Sequence, residues 1–309
     1  MRALVTGGAG FIGSHVVREL LHKGHEVVVI DDLSTGFMEN LASVQEEIRF
    51  IQGSIDDPDL WRTSPSDCQV IYHLAASVGN QRSILDPVND ASVNLVGTLH
   101  LLNAARTHRT EKVVMASSAG IFGEPVRLPV DEGHPKNPDS PYGVTKLAAE
   151  QMALVYSRLF GLSTVALRYF NVYGTLQRYD AYGNVIPIFA QQMIRRQPLT
   201  IYGDGHQTRD FVNVVDVARA TVAAGMSKHA SGVYNIGSGM ATTLNQLVAT
   251  MQEVTGIPVN VRYDVPRRGD VRHSLASIAW ASRDFDYTPS LGLPEGLEEY
   301  FDWFMGWVS

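Results

Sequence analysis

Three glycines near the start of the chain constrain the fold more than any other feature. Apolar residues at positions 3 to 5 run into Gly7, Gly10 and Gly13, and an apolar pattern typical of an amphipathic helix follows. This order predicts a strand, a tight loop and a helix. Glycine allows the backbone to turn sharply, to approach a pyrophosphate and to pack the helix against the strand. The phosphates would lie at the helix N-terminus, where free N–H groups and the helix dipole favour negative charge.

A second strand and a carboxylate support a dinucleotide as the ligand. The segment Glu26 to Ile30 is typical of a strand, and Asp31 follows eighteen residues after Gly13. This is near the spacing of a carboxylate that hydrogen-bonds an adenosine ribose. A carboxylate there repels a 2′-phosphate, and positions 32 to 37 hold no Arg or Lys. The sequence therefore predicts NAD rather than NADP; the alternative is a tight strand-to-helix turn in a chain that binds no nucleotide.

Composition restricts the class of protein further. The 309 residues suffice for one large domain or two closely joined ones. A net charge of −7 without a Lys/Arg cluster gives no support to a nucleic-acid partner. The glycine loop begins at position 7 and no apolar run has the length of a membrane span, so we expect a cytoplasmic chain without a membrane partner. Cys68 is the only cysteine, so we expect a small core residue, no internal disulfide and no metal.

Strand and helix signals alternate for about 140 residues after Asp31, which is typical of a parallel sheet covered on both faces. The predicted strands are 48–51, 70–74, 113–116 and 164–167, and the predicted helices are 57–62, 88–108 and 141–160. From Tyr169 onward, loop signals gather at 174–184, 202–209, 236–243 and 263–274. Such a region would close over the carboxyl ends of the strands, where an open α/β sheet binds its ligand.

We therefore expect an α/β protein with two interleaved parts. Residues 1–168, with parts of 205–240, would form a Rossmann-type doubly wound parallel sheet that binds NAD. Residues 169–309 would mainly form a smaller α/β substrate-binding lobe. The long apolar faces of helices 88–108 and 141–160 also predict a homodimer.

A tyrosine and a lysine four residues apart lie at the start of the predicted helix 141–160. A spacing of four places Tyr142 and Lys146 on one helical face. An ammonium beside a phenol favours the phenolate, and a bound nicotinamide ring would act in the same direction, so Tyr142 is predicted to be a general base at neutral pH. The alternative is that Tyr142 and Lys146 are surface residues of an ordinary helix. It is less favoured because Ser117 and Ser118 end another strand at the edge where the cofactor should lie.

With these motifs, the sequence resembles the extended short-chain dehydrogenase/reductases, and within them the nucleotide-sugar epimerase branch. The resemblance covers almost the whole chain and is specific for the family, though not for one sugar. It rests on Thr6-Gly-Gly-Ala-Gly-Phe-Ile-Gly13, Asp31, His73-Leu-Ala-Ala76, Asn94, Ser117-Ser118, Tyr142-Gly-Val-Thr-Lys146, Arg168-Tyr-Phe-Asn-Val-Tyr-Gly174, Arg209-Asp-Phe211 and Arg267-Arg-Gly-Asp270.

The resemblance implies a role for each matching residue. Ser118 would hydrogen-bond the sugar 4-hydroxyl, Tyr142 would exchange its proton, and Lys146 would bind the nicotinamide ribose. The implied NAD-binding residues are Gly7, Gly10, Phe11, Ile12, Gly13, Asp31, Ser54, Ile55, Leu74, Ala75, Ala76, Asn94, Ser117, Tyr142, Lys146 and Tyr169. For the nucleotide sugar, the resemblance implies that Asn171 contacts the phosphates, that Arg209 and Arg267 hold the pyrophosphate, and that Asp270 binds the uridine ribose. The planar guanidinium suits phosphate oxygens; for Arg267 the alternative is a solvated loop residue.

Two positions depart from the pattern of the family. Phe122 stands where the family often has Tyr, and Thr175-Leu176 stand where it often has Pro-Arg. Both departures weaken the match around the substrate loop. Neither affects the acid-base groups.

Three reactions or roles remain open. The resemblance implies a 4-epimerase that acts through a transient 4-keto sugar, with UDP-glucose/UDP-galactose favoured by analogy. A 4,6-dehydratase needs its own acid and base, which its relatives carry as an Asp-Glu pair directly after the catalytic Ser/Thr, where this chain has Ala119 and Gly120. A non-catalytic dinucleotide-binding protein would be expected to lose the pair of Tyr142 and Lys146.

Two further residues bear on the choice of sugar. The resemblance implies that Arg178 could face the C6 carboxylate of UDP-glucuronate, although Asp180 could neutralise it. It also implies that Ser274, a small residue, leaves space for an N-acetyl group at C2 of the hexose. UDP-glucuronate and UDP-N-acetylglucosamine are therefore the alternative substrates. The competing interpretation of Ser274 is that it only caps a turn.

Overall fold

The computed structural model describes residues 1–63, 67–179, 184–266 and 271–308. Its strands are β1 (Arg2–Thr6), β2 (Glu26–Asp31), β3 (Ile48–Gln52), β4 (Val70–His73), β5 (Lys112–Ser118), β6 (Ser163–Tyr169), β7 (Asn171–Tyr173), β8 (Leu199–Tyr202), β9 (Thr208–Arg209), β10 (Phe211–Asn213), β11 (Gly232–Ile236), β12 (Thr242–Thr243) and β13 (Val261–Asp264). Its α-helices are α1 (Phe11–His22), α2 (Pro58–Thr63), α3 (Asn80–Leu85), α4 (Pro87–Ala91), α5 (Thr98–Thr107), α6 (Pro141–Phe160), α7 (Val185–Ile194), α8 (Val214–Met226), α9 (Leu244–Thr255), α10 (Ala279–Phe285) and α11 (Leu293–Val308).

Within the described residues, seven parallel strands form a central sheet in the order β11-β6-β5-β4-β1-β2-β3. The inner strands are mostly apolar and buried, as in β2, where Val27 to Asp31 are all buried. Continuous burial is expected of a sheet with helices on both faces. One face packs against α1 and α8 through residues such as Val16 and Val217. The other packs against α5 and α6 through residues such as Leu101 and Ala149. The Rossmann-type doubly wound sheet predicted from the sequence is confirmed.

A third hydrophobic cluster, separate from the sheet, joins α7, α9 and α11. Short strand pairs surround it: β7 with β10, β8 with β13, and β9 with β12. The strand β11 comes from the second half of the sequence but lies at the edge of the central sheet beside β6. This crossing agrees with two interleaved parts, and the residue boundaries given above stay a prediction.

The predicted helix 88–108 is wrong in one respect, because it is not a continuous α-helix. A π-helical stretch, Ser92–Gly97, separates α4 from α5. The hydroxyl of Thr98, the first residue of α5, donates to the backbone carbonyl of Asn94 in this stretch at 2.6 Å, a side-chain bond of the kind that disturbs the regular helical ladder. A side chain at Gly97 would also come within 2.8 Å of Ile55. Among the described helices, none combines the length and the apolar character needed to cross a membrane.

Candidate active site

A cleft of about 1370 Å³ opens at the carboxyl ends of β1, β2, β4, β5 and β6, between the sheet and the third cluster. It collects most of the residues that the sequence singles out. Those that line it are Gly7, Gly10, Phe11, Ile12, Gly13, Asp31, Ser54, Ile55, Leu74, Ala75, Ala76, Ser117, Ser118, Tyr142, Lys146, Tyr169, Asn171, Arg209 and Ser274. Arg267, Asp270 and Asp180 lie outside the described residues.

The glycine loop has the shape that a dinucleotide phosphate needs. Gly7 has a φ of +71°, and a side chain there would come within 2.6 Å of the Ala75 backbone nitrogen. A side chain at Gly13 would collide with the Gly7 carbonyl oxygen. Gly10 precedes α1 and caps it with no side chain, so the first N–H groups of the helix face the cleft and can bind an anion. The residues present therefore fit the pyrophosphate of NAD.

Asp31 is held in a fixed orientation at the end of β2. Its carboxylate accepts hydrogen bonds from the backbone N–H groups of Ala9 and Leu33, both at 2.9 Å. Burial raises the pKa of Asp31, and these two N–H groups oppose that effect. The next stretch, 34–36, also lines the cleft. A carboxylate edge thus lies where an adenosine ribose would be expected.

Ser118 and Tyr142 meet because two backbone segments approach closely. The side chain of Ser140 accepts from the Gly143 N–H and starts α6. A side chain at Gly143 would come within 2.5 Å of the Gly120 carbonyl oxygen, so glycine is needed for the start of α6 to reach the turn after β5. There Ser118 hydrogen-bonds Tyr142 and accepts from the Gly120 N–H at 3.1 Å.

Burial affects the protonation of Tyr142, which the sequence alone could not show. Burial raises the pKa of Tyr142 to about 12, and the hydrogen bond with Ser118 opposes this only in part. Desolvation penalises the charged form of a phenol, and the nearby carboxylate of Asp90 raises the pKa of Tyr142 in the same direction. Tyr142 is therefore a neutral phenol in the protein alone. An additional positive charge in the cleft, such as an oxidised nicotinamide, would lower this pKa.

Lys146 lies one helical turn beyond Tyr142 and faces the same cleft. Burial lowers the pKa of its ammonium to about 8, and the nearby carboxylate of Asp90 acts in the opposite direction. Asp90 is itself buried and accepts from the Thr145 hydroxyl at 2.6 Å and the Asn94 amide at 3.0 Å. No sequence pattern indicated this carboxylate, because Asp90 lies far from Lys146 along the chain.

Asn94 does not line the cleft, although it was expected to bind the cofactor. Besides its bond to Asp90, the side-chain N–H₂ of Asn94 donates to the Thr145 hydroxyl and to the Ser77 carbonyl. Its side-chain oxygen accepts from the Ser77 N–H at 2.9 Å. Because these bonds engage both ends of the amide, Asn94 orders the loop at Ser77. Ser77 lines the cleft, so the influence of Asn94 on a cofactor would pass through this loop.

Ser117 connects the cleft to a buried ion pair. Its hydroxyl donates to Glu150 at 2.8 Å, and Glu150 pairs with Arg168 at 2.6 Å with both side chains almost fully buried. The Tyr169 hydroxyl likewise bonds within the protein, to Thr221 at 2.8 Å. Sequence reasoning missed Glu150, although its position four residues after Lys146 places it on the same face of α6.

Arg178 is not brought to the cleft. Its guanidinium stacks over the Phe37 ring at 3.5 Å from the centroid and lies 3.8 Å from the Glu39 carboxylate. The structure therefore does not bring Arg178 to the place where the expected contact with a substrate carboxylate would form. The reason is that residues 174–178 turn toward α1 and the loop after β2, away from the sheet edge.

The lobe supplies cleft residues that sequence reasoning missed. They include Val185, Phe189, Thr200, Tyr202, Gln207 and Leu244. These residues lie on short strands, helices and loops whose positions depend on the packing of the third hydrophobic cluster. No local sequence motif predicts this packing. Arg209 and Ser274 meet them through Thr208, whose carbonyl accepts from Arg209 at 2.8 Å and from the Ser274 N–H at 3.1 Å. No group of metal-binding side chains occurs in the described ranges.

The fold and the cleft together define a class, a Rossmann-type α/β protein in which a serine, a tyrosine and a lysine line the same cleft as the glycine loop. A family model described as the NAD dependent epimerase/dehydratase family matches residues 3–237. The chain belongs to this family.

Three solved structures illustrate the similarity. The UDP-glucose 4-epimerase of Thermotoga maritima with UDP-glucose is 37% identical, with full coverage of both chains and a TM-score of 0.95. A UDP-N-acetylglucosamine 4-epimerase from Methanobrevibacter ruminantium, in complex with UDP-N-acetylmuramic acid, is 34% identical over 99% of this chain and 98% of that one, with a TM-score of 0.94. A UDP-glucuronic acid 4-epimerase from Bacillus cereus, in complex with UDP-glucuronic acid and NAD, is 34% identical over 99% and 100%, with a TM-score of 0.92.

Proposed function

We propose that this chain is an NAD-dependent 4-epimerase of a nucleotide-activated hexose, with UDP-glucose/UDP-galactose as the favoured pair. The observation that carries the proposal is the convergence of Ser118, Tyr142 and Lys146 in the cleft that also contains the glycine loop. Bound NAD would accept a hydride from C4 of the sugar and return it to the opposite face. The chain's own groups have to move one proton and hold the sugar nucleotide.

Each of the three residues has a distinct task in this proposal. Tyr142 accepts the proton of the 4-hydroxyl and later returns it, and Ser118 binds that hydroxyl and orients it toward Tyr142. Lys146 binds the nicotinamide ribose, and its ammonium favours the phenolate during the transfer. Since one group both takes and returns the proton, no second catalytic acid is needed.

The sugar must turn over between the two hydride transfers, so only the nucleotide end can be held tightly. Arg209 lies in the cleft on the lobe side and would bind the pyrophosphate, together with Asn171 and with Arg267 and Asp270 from outside the described residues. A guanidinium matches phosphate oxygens in charge and geometry. The wide cleft leaves space for the hexose to rotate about its link to the pyrophosphate.

A dehydratase reaction is less well supported. Elimination across C5 and C6 requires an acid and a base next to the catalytic serine, and Ala119 and Gly120 form the turn at that place.

Among other epimerase substrates, UDP-N-acetylglucosamine is favoured by an observation, since the small Ser274 lines the cleft. UDP-glucuronate loses support because Arg178 lies elsewhere.

The experiment is to incubate the purified protein with UDP-glucose, UDP-N-acetylglucosamine and UDP-glucuronate separately and to follow inversion at C4 by NMR. We expect UDP-galactose from UDP-glucose, and a measurable UDP-N-acetylgalactosamine product. Release of NAD on denaturation, detected by absorbance, serves as the control for a loaded enzyme. A loaded protein that inverts none of the three sugars would refute the proposal.

We further propose that the protein is a homodimer built on α6. Val144, Met152 and Leu159 share one face of this helix and are 53%, 37% and 69% exposed. Exposed apolar side chains on one helical face are typical of an interface between subunits. A closed dimer would bury them against the same face of a second copy.

A further inference from the structure

Residues 174–178 form a bridge between the lobe and the dinucleotide-binding half. The His15 ring bonds the Thr175 carbonyl at 3.0 Å, and the Tyr300 hydroxyl donates to the Gln177 carbonyl at 3.1 Å. The segment is thereby fixed to α1 on one side and to α11 on the other. Arg178 ends this bridge and reaches across to the loop after β2.

Arg178 is held mainly by aromatic and ionic contacts. Its guanidinium lies 3.5 Å from the Phe37 ring centroid and 5.6 Å from that of Trp307, with Glu39 at 3.8 Å. Its Nε is buried and has no hydrogen-bond partner among the described residues. Arginine suits such a position because its planar cation stacks on rings and is weakly hydrated. The side chain thus connects α11 to Phe37.

Phe37 in turn directly follows the part of the loop that lines the cleft, 34–36. Its N–H donates to the Ala9 carbonyl of the glycine loop at 3.0 Å. Its neighbour Gly36 lines the cleft, and a side chain at Gly36 would come within 2.8 Å of the Asp31 carboxylate. A displacement of Phe37 would therefore move the backbone that encloses the adenosine ribose.

We propose that Arg178 is a positioning residue for NAD, which holds the loop after β2 closed by stacking on Phe37. Dissociation of NAD requires this loop to retreat, and the stack opposes the movement. The lobe that receives the sugar nucleotide thus also retains the cofactor. This inference rests on NAD binding in the cleft and is independent of which sugar is epimerised.

The test is the dissociation rate of bound NAD, measured by chasing NAD-loaded protein with excess labelled NAD. We expect Arg178→Met and Phe37→Leu each to accelerate dissociation about three- to tenfold, as loss of a partly desolvated cation–π contact implies. The double variant should be no faster than the faster single variant. Phe37→Tyr, which keeps the ring, should retain the wild-type rate.

Arg283→Met is the matched control, because Arg283 lies over the Trp280 ring at 5.8 Å, outside the cleft, and we expect no change in NAD dissociation. Wild-type rates in Arg178→Met and Phe37→Leu would overturn the inference, as would effects that multiply in the double variant. A wild-type protein without NAD would overturn both this inference and the proposed function. A protein that holds NAD but inverts no sugar would remove only the function, since the dissociation rates can still be compared.

Discussion

At the scale of single residues, the central question is how a buried phenol acts as a base. Burial holds the pKa of Tyr142 near 12, and burial lowers the pKa of Lys146 to about 8. The two side chains therefore start as a neutral phenol and an ammonium that is charged below about pH 8. In the proposed function, the positive charge of a bound nicotinamide ring would act together with the ammonium to favour the phenolate, which would couple proton transfer to the oxidised state of the cofactor.

Replacing Tyr142 by Phe should abolish epimerisation while the fold and the bound NAD are kept. The substitution removes the proton acceptor proposed for the 4-hydroxyl, and a general base contributes about a hundredfold to ten-thousandfold. The measurement is the rate of C4 inversion alongside the NAD content. Lys146→Ala differs in its expected effect, because it should weaken NAD retention as well. Activity of Tyr142→Phe within a few-fold of wild type would exclude this role for Tyr142.

The size of the accepted sugar should depend on Ser274. This residue is buried at the cleft wall, and its N–H is fixed to the Thr208 carbonyl. In Ser274→Tyr, the larger side chain should exclude an N-acetyl group, and UDP-N-acetylglucosamine turnover should fall selectively, by an effect of about 1–3 kcal/mol. Ser274→Ala is the control and should treat both substrate pairs as wild type does. If Ser274→Tyr does so as well, the residue does not contact the sugar.

At the scale of elements, the frame of the site was predictable from local patterns and its supports were not. Apolar runs predicted β1 to β6 of the central sheet, and the glycine loop indicated the phosphate end, because both signals lie within short stretches of sequence. The edge strand β11 was not predicted. The buried partners Asp90 and Glu150 and the stack of Arg178 on Phe37 depend on packing between distant segments. Residue spacing carries no signal for such contacts, so the direction of Arg178 was missed.

His73, at the end of β4, connects this strand to β1 and α5, and its burial should make the free energy of unfolding depend on pH. His73 bonds Thr6 at 2.8 Å and Thr98 at 3.0 Å, and burial lowers its pKa from 6.5 to about 3. Between these values the unfolded chain binds a proton that the folded chain does not, so stability falls as pH drops below 6.5. The expected contribution is about 2 kcal/mol between pH 7 and pH 5.

Urea unfolding at both pH values measures this effect in wild type and in His73→Gln, which keeps hydrogen-bonding groups between the two threonines. Between pH 7 and pH 5, the free energy of unfolding of the variant should fall by about 2 kcal/mol less than that of wild type, whatever its value at pH 7. If it falls by the same amount in the variant and in wild type, His73 is not the group responsible.

At the scale of the whole molecule, one cleft would bind the cofactor on the sheet side and, in the proposed function, the sugar nucleotide on the lobe side. The central sheet fixes Ser118, and α6 carries Tyr142 and Lys146. The same helix presents its outer apolar face to a proposed second subunit. Assembly and catalysis would therefore depend on one element, with its two faces serving different purposes.

A charge on the outer face of α6 should separate the subunits. We expect Met152→Glu to shift the protein from dimer to monomer in sedimentation velocity, because a carboxylate would be buried in an apolar interface. Met240→Glu is the control, since Met240 is a 58% exposed methionine elsewhere. A wild-type monomer, or a dimer unaffected by Met152→Glu, would contradict the proposed interface.

The most direct test of the account is the fate of the hydrogen at C4 when the protein converts UDP-galactose in D₂O. If bound NAD stores the hydride and returns it, while Tyr142 exchanges only the hydroxyl proton, the UDP-glucose formed should carry protium at C4. NMR of the product after many turnovers measures this position directly. Deuterium at C4 would show that the C–H bond is broken by proton loss to solvent, and would contradict the account.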